Sequence, residues 1–227
     1  MIEVDLDVVG VRDLNRQLHE LPSDTNQLSW RVAHPRGKHA LAVGLTLPLD
    51  VTVHGHVGYY CGGMNQRATL TINGNAGPGV AENMMSGLVR VKGNASQYAG
   101  ASGRGGMLVI EGDASSRCGI SMKGVDIVVR GSVGHMSAFM AQDGRLVVCG
   151  DAGAGLGDSI YEAIIYVGGD VDSLGADCIE KEMTTEHAEK LEGLLAKAGI
   201  EADVKRFRRF GSARKLYHFH VDHADSY

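Results

Sequence analysis

The residues best suited to chemistry are spaced in ways that limit what they can do together. Four cysteines occur, Cys61, Cys118, Cys149 and Cys178, with no CxxC pair. An iron–sulfur cluster held by this chain alone is therefore excluded, since such a cluster needs several thiolates at close spacing. His218, His220 and His223 gather near the C-terminus. At strand spacing His218 and His220 share a face, which suits either a metal or a solvent- or subunit-facing edge; the edge is the expectation. His56, Asn75, Asn94, Asp113, Ser132, Asp151 and Asp170 follow one another at intervals of 19 residues. Polar side chains at a repeated turn usually cap backbone groups, and the shorter glycine–aspartate period of calcium solenoids is absent. Gly153-Ala154-Gly155-Leu156-Gly157 and Gly103-Arg104-Gly105-Gly106 look like phosphate loops, but neither joins a strand to a helix. With no Ser/His/Asp spacing, HExxH or P-loop, no catalytic, cofactor-binding or metal residue is assigned.

The period that spaces the polar row also places the glycines. Of 227 residues 32 are glycine, about twice the usual share. Gly55, Gly74, Gly93, Gly112, Gly131, Gly150 and Gly169 stand 19 apart without insertion or deletion. Two residues before each lies a β-branched residue, from Val53 and Ile72 to Val167, and four before lies Val, Leu or Ile. Two after comes Val or Ala, and seven after comes nothing larger than alanine. Alternation with period two marks a strand with one buried face.

Nineteen residues at ~3.3 Å give a contour of roughly 60 Å, one closed rung of about three short strands. Stacked rungs pair every strand in parallel with its copy, so the fold class is all-β: a parallel β-helix, a single-stranded solenoid of seven 19-residue turns. Its ends need caps. At the front, Ile2, Val4 and Leu6 alternate as a strand, and Val11, Leu14, Leu18 and Leu21 fall at helical spacing. Leu41, Val43, Leu45 and Leu47 read as the strand of an imperfect first rung. At the back, Thr184 or Thr185 opens a helix with an Ala188/Leu191/Leu194/Leu195 stripe, closed by Gly199. A basic, aromatic tail follows, from Lys205-Arg206-Phe207-Arg208-Arg209-Phe210 to Arg214-Lys215. Residues 1–40 are thus expected to form an α/β cap, 41–182 the β-helix, and 183–227 the C-terminal helix and tail.

One outward column is apolar where solvent is expected: Val109, Val128, Val147 and Tyr166, each three residues before a corner glycine. Such a stripe is covered either by a partner or by the chain's own C-terminal segment. The four residues are the candidate partner interface.

The repeats, with Gly150-Asp151-Ala152-Gly153-Ala154-Gly155-Leu156-Gly157 as the fullest copy, resemble the GXGXG domain family. Its founding example is the right-handed β-helix that closes the large subunit of glutamate synthase, and the resemblance spans about residues 40 to 180. Gly157-Asp158-Ser159-Ile160-Tyr161-Glu162-Ala163 and Ser173-Leu174-Gly175-Ala176-Asp177-Cys178 are most similar to free-standing β-helix subunits of the N-methylglutamate synthase type. The resemblance implies a bridging subunit beside an amidotransferase-like subunit and an FMN/iron–sulfur synthase-like subunit, with both cofactors in a partner and none in this chain. A class II amidotransferase needs an N-terminal cysteine, and the first cysteine here is Cys61. Two other readings stand beside it. One is the C subunit of a formylmethanofuran dehydrogenase-type complex; the other is a stand-alone β-helix enzyme acting on polysaccharide.

A net charge of −5 gives no general attraction to nucleic acid or anionic membrane. The start lacks a basic segment and an apolar signal core, so the expectation is a cytoplasmic protein.

Overall fold

The computed structural model describes residues 1–214; the histidines His218, His220 and His223 lie outside the described residues. The chain winds as a parallel β-solenoid of about seven turns, with one strand per rung. The front holds β1 (Ile2–Asp5), α1 (Val11–His19) and β2 (Ser29–Ala33). The rungs supply β3 (Asp50–His54), β4 (Thr69–Ile72), β5 (Leu88–Val91), β6 (Met107–Ile110), β7 (Lys123–Val129), β8 (Asp143–Val148) and β9 (Ile164–Val167). The back holds β10 (Cys178–Lys181), α2 (Thr185–Ala198), a short 3-10 turn and β11 (Arg208–Ser212). One sheet orders the strands in sequence to β9, then β11, then β10. From β3 to β9 residues pair with their copies 19 later, as in Val51↔Leu70 and Leu146↔Ile165, except at a bulge where Lys123 pairs with Asp143.

Stacking puts like upon like, so each column has one environment. The residues two before the corner glycines, Val53 to Val167, are fully buried, and so are those four before. Across the lumen the Val/Ala column from Val57 to Val171 forms a continuous row of isolated parallel bridges.

The expectation of three strands per rung is corrected: each rung has one strand, one bridge and a third side that is not a strand. On that side every second residue is left-handed. Tyr98, Gly100 and Ser102 have φ of 63°, 68° and 54°, and the same three positions repeat in neighbouring rungs. The N–H of Tyr98 and Ser102 reaches forward to Ser116 and Ile120 at 3.2 and 2.9 Å, while that of Gly100 reaches back to Val80 at 2.9 Å. Left-handed φ costs a non-glycine residue on the order of 1 kcal/mol. Inter-rung hydrogen bonds offset that cost. The middle position of each trio points into the core: a Cβ at Gly100 would lie 2.5 Å from Ile127 Cδ1. That is why the column tolerates nothing above alanine.

The corner glycines answer to a different demand. The polar row is a ladder: Asn75 accepts from Asn94 N–H, Asn94 from Asp113 N–H, and Asp113 from Ser132 N–H, at 2.8–2.9 Å. Ser132 and Asp151 continue it at 2.9 and 2.8 Å. Each side chain reaches its target by crossing the space beside the next corner glycine. A Cβ at Gly112 would lie 2.1 Å from Asn94 Oδ1, and one at Gly169 would lie 2.2 Å from Asp151 Oδ1. Among the seven, positive φ is confined to Gly55; for the others close approach, not backbone freedom, excludes a side chain.

The ends correct the sequence reading in two places. Leu41–Leu47 is not a strand. Ala40, Ala42 and Gly44 are left-handed, so its period-two alternation belongs to the same non-strand side as Tyr98–Ser102. The first-rung strand is β2, which pairs with β3 at an offset of 21 rather than 19, as in Trp30↔Val51. At the back, Arg208–Phe210 is not a free tail. β11 pairs antiparallel with both β9 and β10, sealing the last rung's edge with Phe210 buried.

Two alanine substitutions separate space from conformation. Gly112→Ala should lower unfolding stability by about 1–3 kcal/mol, since it displaces the ladder. Gly193→Ala, at an exposed mid-helix site with nothing within 4 Å, should raise it by about 0.5–1 kcal/mol. Urea unfolding of the two variants checks both signs.

Candidate functional site

The apolar outward stripe is where sequence reasoning placed a partner, and the chain covers it itself. Val109, Val128, Val147 and Tyr166 are each 0% exposed and pack with Leu191, Leu194, Leu195 and Ala198 of α2, together with Ile200 and Phe207. This corrects the interface assignment: α2 lies across β6–β9, so the stripe offers a partner nothing. The helix is held in place by sequence-readable caps. Thr184 accepts from His187 N–H at its start, and Gly199 turns left-handed at its end. Each leucine buried there contributes roughly 1.5–3 kcal/mol. Arg90 Nη2 donates to Ala198 O at 2.9 Å, tying the helix C-terminus to an earlier rung.

Beneath the first turn of α2, Tyr166 Oη and His187 Nδ1 lie 2.9 Å apart. Burial, then Arg209 and Lys190, hold the His187 imidazole below its ordinary pKa of 6.5. A neutral ring with Nδ1 unprotonated can accept a hydrogen bond from the phenol O–H. An imidazolium would force the phenol to reverse its role beside two cations. His187 also lines an open recess of about 400 Å³ with Asp143, Lys181, Arg209 and Arg214. Both arginines are engaged: Arg209 Nε donates to Glu182 O at 2.7 Å, and Arg214 pairs with Asp177.

The thiols are spaced and protonated as structural residues. Burial pushes Cys61 and Cys118 up to about 12, and Cys149 and Cys178 up to about 11. At ~4.8 Å per rung Cys61 and Cys118 stand about 14 Å apart. A thiol so shifted is a poor nucleophile at neutral pH, and thiols so far apart cannot share a cluster.

Sequence reasoning missed one cluster of possible metal ligands. Asp5, Asp7 and His34 bring their donor atoms within 4.8 Å of one another where β1 pairs with β2. His34 Nδ1 lies 2.8 Å from Asp5 Oδ1, and Arg36 Nη2 lies 2.5 Å from Asp7 Oδ2. The hydrogen bond from His34 holds the Asp5 carboxyl below its usual range. The cluster sits at the surface, where Asp5 is already hydrogen-bonded to His34 and Asp7 is paired with Arg36. No sequence signal could have found it, because the β1–β2 offset follows no repeat.

No family model matches the chain. Over 226 residues, 99% of each chain, it is 68% identical to a protein of Rhizobium meliloti (strain 1021) described as "Protein GlxC". The chain belongs to the GlxC family. At that identity and coverage, the solenoid, both helices and the antiparallel seal are read as features of the GlxC fold rather than of one sequence. Among the described residues no helix is long and apolar enough to cross a membrane.

Two outcomes follow for α2. Val128→Asp should abolish folding rather than assembly, because the carboxylate would be buried against Leu191 and Leu194 without a partner; loss of soluble folded protein by circular dichroism checks it. His187 binds fewer protons folded than unfolded just below pH 6.5, so its contribution to stability falls as pH drops through that window. Protection factors of the Leu191–Ala198 amides, with exchange corrected for the intrinsic rate at each pH, should fall on acidification, and His187→Gln should remove that dependence.

Proposed function

We propose that the chain is a non-catalytic bridging subunit of a glutamate-synthase-like complex. Its partners are an amidotransferase-like subunit and an FMN/iron–sulfur synthase-like subunit, and the complex converts methylamine and L-glutamate to N-methyl-L-glutamate and ammonia. One observation carries this reading: the polar groups of the repeat are spent on the scaffold. Asn75, Asn94, Asp113, Ser132 and Asp151 each accept a backbone N–H of the next rung. The resemblance of the in-register repeat, over about residues 40 to 180, to the GXGXG domain family supports it as well. The separated, buried cysteines suit a chain that holds no iron–sulfur cluster, and the reading assigns the cluster and the flavin to a partner subunit.

The role that suits such a body is fixed separation. A solenoid bonded at every rung bends little, and holding two active sites at a set distance is what transfer of a small amine between them requires. Native purification from cells that express the chain, with mass spectrometry of co-eluting proteins, tests the reading. Recovery of a flavoprotein and an amidotransferase-like chain is expected. A lone chain turning over polysaccharide would overturn it, and so would co-elution with subunits of a formylmethanofuran dehydrogenase-type complex.

A further inference from the structure

Among the described residues, none covers the left-handed side of the solenoid along its middle rungs. Its outward residues stand four, five, eight and nine places after each corner glycine. From Tyr59 to Ser159 those columns include Tyr60, Tyr98, Phe139, Met64, Met136 and Met140, and no lysine. Their charges are Glu82, Arg117 and Asp158, on a chain that is 22% charged overall. Aromatic residues, Met and an isolated Arg without Lys are the composition of a protein interface, not of a solvated surface. Met64 and Met140 are 45% and 41% exposed.

Two charged groups on this face lack a partner. Arg117 Nε is buried without a hydrogen bond. The Glu82 carboxylate folds over Gly79, where a Cβ would meet its Oε2 at 2.7 Å. Burial holds Glu82 above its ordinary pKa. Neither enters an ion pair among the described residues. Asp158, by contrast, accepts from Ser159 Oγ and Ala176 N–H.

The pattern is symmetric about the rung of Tyr98. One rung before it, at Gly79, sits Glu82's carboxylate; one rung after it sits Arg117. Two rungs before and after stand Tyr60 and Met136 in one column, and Met64 and Met140 in another. A two-fold axis lying in the face and crossing the rung of Tyr98 exchanges these pairs. We infer that this face binds a second copy of the chain, the two solenoids running antiparallel, with Glu82 of each copy meeting Arg117 of the other. Such an isologous contact supplies each orphaned group with its complement and sets methionine against methionine. On the axis Tyr98 meets its own copy, with the small Ala101 and Ser102 leaving room beside it. The inference is independent of the proposed reaction and of its partners.

Sedimentation equilibrium of the purified full chain tests it, with circular dichroism confirming that each variant is folded. The wild-type chain should be a dimer. Glu82→Arg and Arg117→Glu should each weaken dimerisation at least tenfold by setting like charges together. The double variant Glu82→Arg/Arg117→Glu should restore it. Ser102→Cys should give a covalent dimer on mild oxidation, against a wild-type control for the buried native thiols. This readout decides the matter should the charge variants fail to fold. A monomeric wild type would overturn the inference, whatever other chain then bound this face. So would single variants that remain dimers, a folded double variant that stays a monomer, or no covalent dimer from Ser102→Cys.

Discussion

The structure depends on the spacing between rungs, ~4.8 Å, being enforced on every side of the coil at once. On the strand side ordinary parallel pairing does this. On the left-handed side it is done by amides that alternate between reaching forward and back, as Tyr98, Gly100 and Ser102 do. At the corner it is done by side chains, each taking an amide of the next rung. The corner demand is the strictest, because it couples two positions in different rungs. The acceptor on one rung occupies the space of a Cβ on the next, so Asn94 requires Gly112 as much as Asp113 N–H requires Asn94. Drift in rung length would break all three sets together, which accounts for a period that admits neither insertion nor deletion.

Much of this was legible in the sequence, for a physical reason. In a solenoid, neighbours in space are neighbours at a fixed separation along the chain, so Val53, Ile72 and Val91 announce their common environment by recurring. The role of the polar row as backbone caps and both caps of α2 were readable in the same way. What could not be read lies where that rule fails. Leu41–Leu47 alternates as a strand does, yet left-handed residues at Ala40, Ala42 and Gly44 give the same period two. For Val128 and Val147 a partner and the C-terminal segment were equally open as covers, and α2 docks there by a match that follows no repeat. β11 reads as a basic tail because its partners are chosen by the open edge of β9, not by its own pattern. The Asp5–His34 contact rests on a strand offset specific to the front cap.

The faces of the solenoid have separate uses. The strand face is closed by α2, with Tyr166 and His187 at one end of the contact and Arg90 at the other. The corner face is consumed by the ladder. Among the described residues, the left-handed face keeps Met64 and Met140 exposed beside the unpaired Glu82 and Arg117. A scaffold that leaves one side unfinished in this way is suited to being part of something larger. That agrees with a bridging role, although the copy-to-copy contact and the reaction stand or fall separately.

The placement of α2 has a bearing on how the polypeptide comes into being. Rungs can be laid down one by one as the nascent chain leaves the ribosome, each templated by the last. The helix that shields Val109, Val128 and Val147 is encoded after the final rung. Until it emerges, the growing coil carries a greasy strip and an unsealed trailing edge. Synthesis therefore passes through an interval in which self-association competes with completion. A truncated message ending before residue 185 would leave the product in that sticky state, however well formed its rungs.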